Sequence, residues 1–258
     1  MKNLASVTGG EMLSISWRSN RRQILGWTFG LIAVFAGTAA SINNLFGTAA
    51  ELKTYADAAT AGSALYAING RPYGLGNLGG PIVYEFGFVA AIAFPLMGII
   101  LMTRMTRLEE QTGRMELLRG GVVGRTAALK SALVLTSAAF LLVAVGMATV
   151  LVALDLKWPG VVLYPLALAL LGIAFTAAGA VCAQLVASSR MVNALGVAIL
   201  VVAFIIRGIG DVRDNALVWL SPLGWAEQTR AFGDARWWPL LLLIAAAIAS
   251  SAAALHLG

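Results

Sequence analysis

The chain has 258 residues, of which 59% are hydrophobic and 12% charged, with a formal net charge of +6. A soluble domain carries about 25% charged residues, so this composition, with a mean hydropathy of +0.84, argues against a soluble enzyme, a disordered chain and a nucleic-acid-binding domain. The basic residues sit between long apolar runs, and their excess reads as the cytoplasmic bias of a membrane protein.

Residues 1–23 are not apolar enough to span a bilayer. Leu4, Val7, Met12 and Ile15 form one apolar face with Trp17 at its edge, which predicts a helix lying in the inner membrane surface. Gly9 and Gly10 weaken that helix by about 1 kcal/mol each. The first apolar run starts after Arg18, Arg21 and Arg22 and is too long for the core of a cleavable signal peptide. Six runs approach spanning length, at about 20 residues per crossing: Ile24 to Phe46, Ile82 to Thr103, Ser131 to Leu154, Val161 to Ala187, Ala194 to Ile206 and Trp237 to Gly258. The fifth is short and must extend through Arg207 and Gly210 or cross a thinned region. The fold class that follows is all-α and integral to the membrane, one six-span domain over 1–258.

Two connections are long on the outer side. Residues 47–81 form a polar, Gly/Ala-rich loop with a short helix expected around Glu51 to Leu65. Residues 207–236 carry Val218, Trp219, Leu220, Pro222, Leu223 and Trp225, too apolar for a solvated loop, and predict a helix that dips back toward the membrane. With the N-terminus inside, the cytoplasmic segments hold 11 basic and 4 acidic residues, whereas the outer loops hold 7 of each. This asymmetry predicts cytoplasmic N- and C-termini.

The longest cytoplasmic connection is 104–126. Met105, Leu108, Met115 and Leu118 share a face at helical spacing. Glu110 precedes Arg114 by four residues, the favourable order for an ion pair of about 0.2–0.5 kcal/mol. Gly120 and Gly121 end the helix. Its apolar face needs lipid or a protein. Glu109, Glu110 and Glu116 would be repelled by an anionic inner leaflet, which favours a soluble protein partner over lipid headgroups.

The run Thr106-Arg-Leu-Glu-Glu-Gln-Thr-Gly-Arg-Met-Glu-Leu-Leu-Arg, followed by Val122-Val-Gly-Arg, resembles the coupling loop of bacterial ABC transporter permeases, in particular the ABC-2-type antibiotic exporters of the polyketide (tetronasin-type) class. Thr8-Gly-Gly through Arg21-Arg22 to Trp27, and Ser221-Pro-Leu-Gly-Trp before Arg236-Trp-Trp-Pro-Leu, fit the same pattern. The resemblance implies the first six-span half of a permease in a bacterial plasma membrane, moving small hydrophobic or amphipathic compounds outward. It implies that Arg107, Leu108, Glu109, Glu110, Gly113, Arg114, Met115, Glu116, Leu117 and Leu118 dock into a nucleotide-binding ATPase subunit. ATP and Mg would bind that partner, with no cofactor on this chain. Members of the class usually fuse two six-span halves, so the second half would be either the same chain continued or a second copy.

The remaining features are weaker. Gly74-Leu-Gly-Asn-Leu-Gly79 matches a dinucleotide fingerprint but lies in a loop before a span, where a turn is expected. No P-loop occurs, in keeping with an ATP site on another chain. Glu85, about one turn into the second span, is a candidate intramembrane polar site with Arg207 as a candidate partner; equally, it can sit at the outer interface. A proton-coupled transporter using Glu85, or a non-transporting anchor subunit, are the alternatives. Gly26 and Gly30, and Gly172, Ala177, Gly179 and Ala180, are candidate close-contact seams. Trp158, Trp219, Trp225, Trp237 and Trp238 read as an aromatic belt at the outer end. His256 has no partner set for metal binding or catalysis, and Cys182 reads as a packing residue.

Overall fold

The computed structural model describes residues 9–108 and 126–258. The described residues form nine α-helices: α1 (Gly9–Leu45), α2 (Ala49–Ala61), α3 (Tyr66–Asn69), α4 (Gly79–Thr103), α5 (Ala127–Ala153), α6 (Gly160–Leu185), α7 (Ser189–Arg213), α8 (Pro222–Glu227) and α9 (Pro239–Leu257). Six of them, namely α1, α4, α5, α6, α7 and α9, are long and apolar enough to cross a membrane. The predicted spans coincide with these six. The fifth does extend through Arg207 and Gly210, as one unbroken helix to Arg213.

The N-terminal expectation is corrected. Residues 9–23 do not form a separate surface helix but continue into the first span as a single helix of 37 residues, about 55 Å long at 1.5 Å per residue. Met12, Ser16, Asn20 and Ile24 are buried at four-residue intervals, so the N-terminal turns are held by packing along the same face that buries Thr28, Leu31 and Phe35.

Helix α6 is the centre of the bundle, packed against α4, α5, α7 and α9, while α1 packs on α5 and α4. Small residues set the close approaches. A Cβ at Gly98 would lie 2.7 Å from the Gly172 carbonyl oxygen, and one at Gly172 would lie 2.3 Å from the Phe140 ring. Gly172 therefore lies in an intrachain seam of the expected kind. Gly26 and Gly30 have nothing within 4 Å of a Cβ, so that pair forms no seam within the chain.

Consecutive long helices alternate in direction and define two ends. One carries residues 46–78, 154–159 and 214–238. The other carries the start of α1, the far end of α4, the turn at 186–188 and the end of α9. At the first end, Trp158 and Trp237 lie 5.7 Å apart and Trp219 stacks on Trp238 at 4.8 Å, which gathers the expected aromatic belt there.

Candidate functional site

At the first end, both long connections turn back into the bundle. Helix α2 opens with a capping box in which Thr48 and Glu51 satisfy each other's backbone N–H groups. Helix α3 then wedges between two spans: a Cβ at Gly87 of α4 would lie 2.2 Å from Asn69 O, and one at Gly208 of α7 would lie 2.9 Å from Ala67 O. The second connection folds back along α7. After Arg213 the chain reverses through Asp214, which has φ +50°, and a 3-10 turn at Ala216–Leu220. Buried Ser221 then donates its Oγ to Ala203 O at 2.8 Å. Ala203 lies ten residues before the end of α7, so the chain returns alongside that helix and α8 packs on α6, α7 and α9. The apolar 218–225 stretch thus carries a short helix packed against the bundle. The segment at Gly74–Gly79 is a turn, pinned where Asn77 Nδ2 donates to Phe232 O at 2.8 Å.

The two re-entrant pieces meet around Arg207, whose side chain is only 2% exposed. Its Nη2 donates to Ile68 O at 3.0 Å and Ala67 O at 3.3 Å, capping the carbonyl end of α3. Its Nη1 lies 3.5 Å from Asp211 Oδ2 and 3.5 Å from Glu227 Oε1. The guanidinium stands over the Phe204 ring at 4.6 Å. Glu227 is seated against Gly70, whose φ of +88° and missing Cβ make the room: a Cβ there would lie 1.2 Å from Glu227 Oε1. Burial pushes the Glu227 carboxyl well above the usual carboxylate range; Arg207 pulls it down and Asp211 pushes it up. Arg71 pairs with Asp214 and Arg230 with Asp234.

Beside this cluster lies an open-mouthed chamber walled by α4, α6, α7 and α8, with a cavity volume of about 60 Å³. Arg207, Glu227, Arg71 and Arg230 make its polar end, and Val83, Ala90, Leu168 and Leu171 its apolar depth. Tyr84 and Tyr164 line it with hydroxyls that meet no hydrogen-bond partner among the described residues.

Glu85 is not part of this site. It is exposed, and the Tyr55 hydroxyl of α2 donates to its Oε1 at 2.5 Å. Burial and that bond push the Tyr55 phenol upward, so it stays protonated as the donor. Glu85 thus ties α4 to α2 at the first end of the bundle. Its expected partnership with Arg207 is corrected, because Arg207 is committed to Asp211, Glu227 and α3. Sequence reading missed Asp211 and Glu227. Asp211 follows Arg207 by one helical turn, which was the available signal; Glu227 joins only through the chain reversal.

At the opposite end, α4 continues as a π-helical turn at Arg104–Leu108. Thr103 and Thr106 bond back to Ile99 O and Met102 O. Arg104 Nε donates to Asn20 Oδ1 of α1 at 3.1 Å, and Arg107 Nε donates to Ala183 O near the end of α6. Of the predicted docking residues, Arg107 is thus bound to the bundle and Leu108 is exposed. Glu109, Glu110, Gly113, Arg114, Met115, Glu116, Leu117 and Leu118 lie outside the described residues.

Comparison with known proteins decides the family. Residues 10–257 match the model described as "Multidrug efflux system permease Rv1217c, C-terminal domain". The chain belongs to this family. It is 36% identical over 233 residues to the multidrug efflux system permease protein Rv1217c of Mycobacterium tuberculosis (strain ATCC 25618 / H37Rv), an alignment that covers 89% of this chain and 42% of the relative. The chain therefore spans about two fifths of that relative's length. The matched model is a C-terminal domain, whereas the resemblance implied a first half. Family and spans together make this a multi-pass bacterial membrane protein of the efflux-permease type, as the antibiotic-exporter resemblance implied.

Proposed function

We propose that this chain is a six-span half of an ABC exporter permease, moving hydrophobic or amphipathic compounds out of the cell and driven by a separate ATPase subunit that binds ATP and Mg. The observation that carries this is the match over nearly the whole chain to a protein named as a multidrug efflux permease. The N-terminus is cytoplasmic on the charge count, so the 104–126 connection faces the ATPase and the re-entrant end faces outward. The glutamate-bearing stretch of that connection docks into the ATPase. Closure of the ATPase pair pushes on the connection, and the push passes into α4 and α5, which it joins, and through Arg104 and Arg107 into α1 and α6. A second six-span half, continuous with this chain or a second copy of it, completes the translocation path. ATP drives transport only insofar as it favours one access state over the other.

The test is affinity purification of the full chain from native membranes, with mass spectrometry of what accompanies it. A stoichiometric P-loop ATPase is expected, and Glu110→Lys with Arg114→Glu should each abolish its capture. ATPase capture unchanged by both reversals would remove the docking role. A clean preparation with no ATPase would remove the exporter reading itself.

A further inference from the structure

The buried cluster at the re-entrant end has an unbalanced charge. One guanidinium, Arg207, meets two carboxyls, Asp211 and Glu227, through the same nitrogen. Arg207 and Asp211 are 2% and 1% exposed, and Glu227 is 17% exposed. Among the described residues, the other cations at this end are paired at the rim of the cluster. Arg71 faces the cluster from the 70–78 stretch but is bound to Asp214, and Arg230 is bound to Gln228 and shares Asp234 with Arg236. The remaining titratable groups turned toward Glu227 are the phenols of Tyr73, Tyr84 and Tyr164, which carry no charge. With both carboxyls ionised, the site would bury a net negative charge in the bundle, which low-dielectric surroundings strongly oppose.

The hydrogen-bond inventory points the same way. Both oxygens of Asp211 and Oε2 of Glu227 meet no donor among the described residues. Two ionised carboxylates can only accept, so facing each other they leave those lone pairs unmatched. Both carboxyls lie 3.5 Å from the one nitrogen, Arg207 Nη1, and a proton on Glu227 would give an O–H that Asp211 can accept. Glu227 rides on α8, and Asp211 on α7.

We propose that Asp211 and Glu227 hold one proton between them, and that this shared proton seats the re-entrant α8 against α7. Deprotonation leaves two carboxylates competing for Arg207, which loosens the contact between the elements that wall the chamber.

Infrared spectroscopy of the full chain in a maltoside detergent, which has no carbonyl of its own, tests this. Wild type at neutral pH should show the C=O stretch of one protonated carboxyl per chain, shifted in heavy water and lost as pH is raised. Glu227→Gln and Asp211→Asn should each abolish the band, because the remaining carboxyl then pairs with Arg207 as an ion. The heat-denaturation midpoint of wild type should fall as pH rises through loss of the band, because the native state holds a proton that the unfolded carboxyls have already released. The Glu227→Gln midpoint should be flat over that range. Absence of the band in wild type overturns the proposal without recourse to any variant. A band that survives Asp211→Asn would overturn the sharing and leave an isolated protonated Glu227.

Discussion

Gly98 faces the backbone of α6, where an added Cβ would stand 2.6 Å from Thr176 Oγ1, 2.7 Å from Gly172 O and 3.0 Å from Thr176 N. Two of those atoms are main chain and cannot swing aside, so Gly98→Ala must separate the two most buried helices. Overpacking of this kind costs about 1–3 kcal/mol. Gly26→Ala supplies the control, because nothing lies within 4 Å of its Cβ and alanine is a better helix former than glycine by about 0.8–1.0 kcal/mol. Heat denaturation in detergent should therefore show a lowered midpoint for Gly98→Ala and an unchanged or raised one for Gly26→Ala. Equal midpoints would mean that the α4–α6 approach does not limit stability. The sequence flagged Gly26 with Gly30, and Gly172 with Gly179, but could not tell the two seams apart and did not single out Gly98, since small residues every few positions look the same facing lipid or facing a neighbour. Arg207 shows the same limit for charge. Its position at the end of an apolar run was legible, but its partners depended on a reversal that returns Glu227 from twenty residues further on.

The connecting elements are stabilised locally as well as by docking. Helix α2 is exposed over most of its length, so its start depends on the Thr48–Glu51 box, in which Glu51 N donates to Thr48 Oγ1 at 3.3 Å and Thr48 N donates to Glu51 Oε2 at 3.0 Å. Thr48→Ala removes one of these bonds and should cost about 0.5–2 kcal/mol of helix stability. Hydrogen exchange over residues 49–61 should speed by the corresponding factor while exchange in α6 stays unchanged; faster exchange throughout would show that α2 and the bundle open together. This short helix was legible because a cap has a local sequence signature. The return of α8 to the bundle was legible for a different reason: Val218 and Leu223 are costly in water, and packing on the bundle buries both, although Leu220 stays exposed. The junction of residues 9–23 with the first span was not legible. Burial at Met12, Ser16, Asn20 and Ile24 has the same helical period as a surface helix with one apolar face, and period alone does not say whether the helix bends at the interface.

For the molecule as a whole, run length and charge counting carried the six-span architecture, since an apolar stretch of spanning length has few other destinations. How a push at one end reaches the rest of the bundle required the structure. Residues 104–108 are the root of the 104–126 connection, and they are joined to the bundle by Arg104 to Asn20 of α1 and Arg107 to Ala183 of α6. Neither bond follows from sequence, because their partners lie 84 and 76 residues away. Under the proposed function these two arginines transmit force and do not bind the ATPase, which separates them from Glu110 and Arg114. Arg104→Ala and Arg107→Ala should therefore still co-purify the ATPase and still permit ATP hydrolysis. Compound moved per ATP should drop. Mutations along such a connection shift coupling by about 0.5–2 kcal/mol, which corresponds to a loss of about two- to thirty-fold in transport per ATP. The measurement is paired ATP hydrolysis and efflux in reconstituted vesicles. Loss of ATPase capture in these variants would place the arginines in the docking surface, and an unchanged ratio would route the push through the helix backbones of α4 and α5 alone.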